Sequence, residues 1–117
     1  MAKNQRYTHA DHISLPVPEG TVSGDPVRVG AFAGVAQTDR RPDGTATVWL
    51  DGSYNVEVAG ALTAGQTVYI NSAGALTATA GTNNPFGSAI TDKGTGTGIA
   101  EVAPFGNNPA VAVAAGA

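Results

Sequence analysis

From Val22 onward, apolar residues come in short runs separated by glycine turns, and no stretch keeps the three-to-four residue spacing of an amphipathic helix. The runs predict strands over Val27–Val29, Phe32–Gln37, Thr45–Leu50, Ser53–Val58, Thr67–Ile70, Ala75–Thr79, Phe86–Ile90 and Gly98–Val102. Short strands at this spacing predict an all-β fold, a small sandwich or barrel. Residues 1–20 read differently: polar, without glycine before Gly20, and weakly alternating, with Ile13, Leu15 and Val17 on one side of an extended segment. Pro16 and Pro18 each lack the ladder donor that a central strand needs. The expectation is an extended N-terminal arm over 1–20 that ends in an edge strand, followed by a single β domain over 21–117. The arm would contribute little to the core. Pro109–Ala117 is uncharged and alternates weakly, which suggests a last edge strand.

The sharpest local signal is TVWLDGSYNVEV. Asp51-Gly52 is a favoured two-residue type I′ turn, in which both central residues take positive φ. Such a turn would set Leu50 against Ser53, Trp49 against Tyr54, Val48 against Asn55 and Thr47 against Val56. Trp49, Tyr54, Val56 and Val58 would then share the core face, and Trp49 would be a core residue first. A weak internal repeat relates 23–38 to 64–79, with Gly24 matching Gly65, Val27 matching Val68, Val29 matching Ile70 and Gly34 matching Gly74.

Composition narrows the function. In 117 residues there are 16 glycines and 7 prolines, whereas four leucines, one methionine, two lysines and three glutamates leave little for helices. Charged residues are only 13%, about half the ~25% usual for a soluble domain, and the net charge of −3 argues against a general nucleic-acid binder. Cysteine is absent, which excludes disulfides, zinc-thiolate sites and cysteine nucleophiles. No apolar run approaches the ~20 residues of a transmembrane helix. The first twenty residues lack an apolar signal core, so a protein made and kept in the cytoplasm is expected, with no membrane partner.

Candidate chemistry is thin. The glycines of KGTGTG (93–98) follow Lys93 and precede a strand-like segment, whereas a phosphate loop ends in Gly-Lys-Ser/Thr and opens a helix. His9 and His12 would point to opposite faces of an extended arm and give a metal too few ligands. On a docked arm they would make affinity depend on pH near ~6.5. Asp39, Arg40, Arg41 and Asp43 surround a Pro-Asp-Gly turn and keep an exposed loop soluble. Nothing marks an enzyme, a catalytic residue or a cofactor site.

GDPVRVGAFAGVAQTD (24–39), VWLDGSYNVEV (48–58), GQTVYIN (65–71), GALTAT (74–79) and NPFGSAI (84–90) together resemble the capsid cement, or head-decoration, proteins of tailed bacteriophages. The likeness runs from about Thr21 to Val102. It implies a β-tulip-like body that binds the outer surface of the assembled head, a homotrimer, and the major capsid protein as partner. Such a protein bridges capsid subunits and stabilises the shell within the virion. The arm residues Tyr7, His9, His12, Ile13 and Leu15 are the expected capsid contacts, because an extended segment can add to a partner's sheet edge. The alternative is a β-structured fibre or tail module that binds a host-surface glycan through exposed aromatics.

Overall fold

The computed structural model describes Lys3, Asn4, Arg6 and residues 10–107. All regular structure among them is β. In chain order the strands are β1 (His12–Pro16), β2 (Pro26–Val29), β3 (Phe32–Ala36), β4 (Thr45–Trp49), β5 (Tyr54–Ala59), β6 (Thr67–Ile70), β7 (Leu76–Thr77), β8 (Asn84–Ala89), β9 (Thr97–Pro104) and β10 (Gly106–Asn107). The first sheet runs β1-β4-β3-β10 with β2 also paired to β3, and the second closes into a barrel in the order β5-β7-β6-β8-β9. One core fills the barrel around Val58, Val68, Phe86 and Val102, and Ala33 and Val35 of β3 reach into it. A second core lies under the first sheet, among Ile13, Val17, Val27, Ala46, Val48 and Leu50.

The strands expected between Val27 and Val102 and the all-β class hold, and the edge strand expected over 109–117 lies outside the described residues, but the hairpin and the N-terminal segment differ. Asp51-Gly52 does not close a hairpin. β4 is flanked by β1 and β3, so neither of its edges is open to β5, which pairs with β9 and β7 instead. Only Gly52 takes positive φ, +83°, and no non-glycine among the described residues does, so the turn is not type I′. It carries the chain from one sheet to the other. Trp49 in consequence is not a core residue: it is 38% exposed. Tyr54 is half-buried against the barrel core, and Val56 is buried as expected.

The N-terminal segment is the second correction. β1 lies antiparallel along β4, with Ile13 opposite Val48 and Leu15 opposite Ala46. Ile13 and Val17 are buried and Leu15 packs against them, so the apolar side of this segment serves the chain's own core. The prolines keep β1 at the sheet edge, as the missing donors require.

The two halves of the chain repeat one another. β1, β2, β3 and β4 correspond to β5, β6, β8 and β9, with sheet paths β1-β4-β3-β2 and β5-β9-β8-β6. Val27 lies opposite Gly34 as Val68 lies opposite Gly87, and Val35 faces Trp49 as Ser88 faces Ala103. The turns repeat too. Ser23 donates its amide to the Asp39 carboxylate as Ala64 does to Asp92, and the Val22 amide bonds Asp25 as the Thr63 amide bonds Gln66. Buried Val17, Val27, Ala36, Ala46 and Val48 take the places of Val58, Val68, Ala89, Ala100 and Val102. The repeat seen in the sequence is therefore real from Gly24 to Val29, but Gly34 corresponds to Gly87 and not to Gly74. Between β6 and β8 the second half carries β7, which runs parallel to β5 and antiparallel to β6 and so closes the barrel. The first half turns directly from Val29 to Phe32 through Gly30, φ +58°, and has no counterpart of β7 among the described residues.

Candidate interaction surface

The register of β1 on β4 sets His12 directly opposite Trp49, and the two rings stack with centroids 4.0 Å apart and planes within 13°. His12 Nε2 lies 2.9 Å from Asp51 Oδ1. The Asp51 carbonyl accepts a hydrogen bond from the Tyr54 hydroxyl at 2.9 Å, which ties the inter-sheet turn to β5. Burial, with the Asp51 carboxylate nearby as a lesser cause, pushes the Tyr54 phenol above its ordinary value. The Asp11 carbonyl accepts from the Leu50 amide and fixes the entry to β1. An aromatic plate with one acid and one imidazole is thus held at the surface where the N-terminal segment enters the sheet. Asp11, His12 and Asp51 offer ligand atoms within 4.8 Å of one another, but His12 and Asp51 are exposed and the hydrogen bond between them accounts for the grouping.

Of the residues expected to carry attachment, His12 is on this surface, Ile13 and Leu15 belong to the core, and Tyr7 and His9 lie outside the described residues. Asp51 and Trp49 join His12 through a pairing between segments distant in sequence. A cue in the sequence was the weak alternation of His12–Val17, which marks β1 but not its partner.

The other charged segments serve the fold. Lys93 turns its ammonium onto the carbonyl oxygens of Gly60, Gly94 and Gly96, so KGTGTG folds around its own lysine. Arg40 donates to the Val17 carbonyl at 3.1 Å and Arg41 to the Thr47 hydroxyl at 2.6 Å, which anchors the loop before β4. Asp43 accepts from both the hydroxyl and the amide of Thr45, and these bonds hold its carboxyl below the ordinary value. Arg28, at the end of β2, donates to the Pro85 carbonyl at 2.6 Å and links the two halves. Burial lowers its guanidinium from the ordinary value.

The profile of a family described as phage cement protein matches residues 7–104, which includes both halves of the fold and the His12–Trp49 surface. The chain belongs to the phage cement protein family. No curated protein and no solved structure matches it. Membership makes this a structural protein of the phage capsid, and it agrees with the resemblance carried by 24–90 of the sequence. For a cement protein the function is a surface rather than a pocket of reacting groups.

Proposed function

We propose that this cement protein binds the outer surface of the assembled head as a homotrimer, bridges neighbouring major capsid subunits and stabilises the shell. The match of the family over nearly the whole described body carries this reading. The physical requirement is preference: the protein must bind the assembled shell better than separated subunits, so that its binding favours assembly. At a free concentration ~100 times its dissociation constant, each site gains about 2.7 kcal/mol.

The contact assigned to the shell is the segment before β1 together with the surface it leads into, His12, Trp49 and Asp51. Its support is location. Trp49 is exposed and held flat by His12, and an aromatic anchored on a rigid strand loses little entropy on contact. The outer edge of β1 is unpaired among the described residues and suits addition of an extended capsid segment. The same exposed tryptophan is what glycan binding would use, so the test must separate the two. Purified protein is mixed with expanded heads, with unassembled capsid subunits and with host-surface glycans, and the bound fraction and head survival on heating are measured. Cement function requires binding to heads, weaker binding to free subunits, and increased head survival. Binding to glycans but not heads would overturn it.

A further inference from the structure

The repeat reveals a difference between the outer faces of the two sheets. On β4, Thr45 and Thr47 alternate with buried Ala46 and Val48, so their side chains point away from the core. Arg41 lies across both, donating to the Thr47 hydroxyl at 2.6 Å and to the Thr45 hydroxyl at 3.4 Å. Ile99 and Glu101 hold these places on β9: the Gln37 amide donates to the Thr47 carbonyl as the Ile90 amide does to the Glu101 carbonyl. Nothing on the second half replaces Arg41. The Arg40 amide bonds the Thr21 carbonyl as the Lys93 amide bonds the Leu62 carbonyl, and the residue after Lys93 is Gly94. The face left uncovered holds Ile99, 65% exposed, with exposed Glu57 directly opposite. Ile90, 44% exposed, lies beside Glu101 on the same face. It continues into an open groove of about 510 Å³ that Asp25, Asn55, Glu57 and Ile99 help to line and that no lysine or arginine enters. A single exposed isoleucine is ordinary, but two on one face bounded by carboxylates form a patch.

We propose that this face is a second contact with the shell and takes a basic segment of the major capsid protein. The proposal rests on the binding to heads put forward above. An arginine or lysine of that segment lays its stem on Ile99 and Ile90 and brings its charged head to Glu57 and Glu101. Two observations select this occupant. The first half already shows the arrangement, with a guanidinium lying along the strand over two hydroxyls. Carboxylates in the same setting bind a guanidinium more strongly than hydroxyls do, and isoleucines suit its apolar stem. Charge excludes the body of a second copy as the donor. Its cations are spent on their own chain: Arg28 on the Pro85 carbonyl, Arg40 on that of Val17, Arg41 on the two threonines, and Lys93 on the carbonyls around it. Among the described residues that leaves Lys3 and Arg6, which belong to the segment already assigned to the shell. Bridging also needs two contacts. The His12–Trp49 surface and the Ile99–Glu57 face occupy the outer sides of corresponding strands, β1 and β4 in one half, β5 and β9 in the other.

Glu57→Lys reverses an exposed charge, and Ile99→Thr installs the residue type of the first half; both lie outside the two cores. In co-sedimentation with expanded heads, each variant should lose at least ten-fold in affinity, and the parent should bind more weakly as salt is raised. If the parent itself does not sediment with heads, the cement function proposed above fails and this contact with it. If the parent binds and either variant binds as well as it does, this contact alone is overturned. Tighter binding of Glu57→Lys also overturns it, because the partner is then anionic. A second measurement leaves the patch unchanged. The chain has no cysteine, so exposed Thr97 at the start of β9 can be replaced by Thr97→Cys and labelled there alone with a benzophenone maleimide. Illumination on heads should join the label to the major capsid protein. Cross-linking to a second copy of this chain, or to nothing on heads that the labelled protein binds, overturns the proposal.

Discussion

Gly34 and Gly87 hold the same place in the two halves, and each is there because another backbone passes too close for a side chain. A Cβ on Gly34 would run into the Trp49 carbonyl oxygen and lie 2.8 Å from the Val48 side chain, and one on Gly87 would run into the Ala103 carbonyl. The obstacle is backbone in both cases, so neither rotamer change nor a flexible neighbour relieves it. Gly34→Ala and Gly87→Ala should each destabilise the protein by about 1–3 kcal/mol in urea unfolding, the range for overpacking. Gly20→Ala, strained only by its φ of +89° with nothing within 4 Å, should cost less. Trp49→Ala should cost only about 1 kcal/mol, the scale of one aromatic stack, because the ring is at the surface. Asp43 gives a pH dependence of known sign. Its carboxyl is held below the ordinary value chiefly by the Thr45 hydroxyl, then by the Thr45 amide. A depressed value means that the ionised form is favoured in the folded state. The stabilisation is present above the unfolded value of ~3.9 and is lost as pH falls through the lower folded value. In melting curves from pH 6 to pH 2, Asp43→Asn should trail the parent at pH 6 and converge with it in acid.

At the level of elements, β1 separates what truncation removes harmlessly from what it does not. Deleting residues 1–10 leaves every buried position among the described residues in place, whereas deleting 1–17 removes Ile13 and Val17 from the second core and frees one edge of β4. The shorter deletion should leave the urea midpoint within error, and the longer one should yield a chain whose first sheet is unprotected in amide exchange. The strands themselves were legible because glycine turns at Gly24, Gly30, Gly44, Gly65, Gly74 and Gly96, all with positive φ, punctuate apolar runs of four to eight residues. Their pairing was not. Asp51-Gly52 satisfies the residue preferences of a hairpin, but a turn motif constrains only its own dihedrals. β4 finds its neighbours in β1, far back in sequence, and in β3. Trp49 was misplaced by the same error, since its face was inferred from the wrong partner. The repeat was readable where the halves have equal length. It lost register after Ile70, where the second half carries β7 before β8, so that Gly74 stood in for Gly87.

For the whole molecule, the question is whether the two halves stand alone. β3 belongs to the first sheet, yet its Ala33 and Val35 are buried in the barrel core, and Arg28 bonds Pro85 across the junction. A chain so joined should unfold in one transition by both intrinsic fluorescence and circular dichroism. Phe86→Ala, which empties the largest fully buried side chain, should cost about 3–5 kcal/mol and lower the midpoint seen by both probes together. The same rigidity bears on attachment. In the proposed bridging role the protein would transmit load between capsid subunits only if its own body does not yield first, so contacts should be separable from stability. Trp49 lies at the surface and its loss leaves both cores intact, which makes it the residue to ask. Trp49→Ala should retain the single transition and lose at least ten-fold in affinity for expanded heads, and deleting residues 1–10 should weaken attachment further while leaving the melt unchanged. Co-sedimentation of heads with each variant at increasing protein concentration measures both. If both variants sediment with heads as the parent does, the contact lies elsewhere on the body and neither the N-terminal segment nor the His12–Trp49 surface carries it.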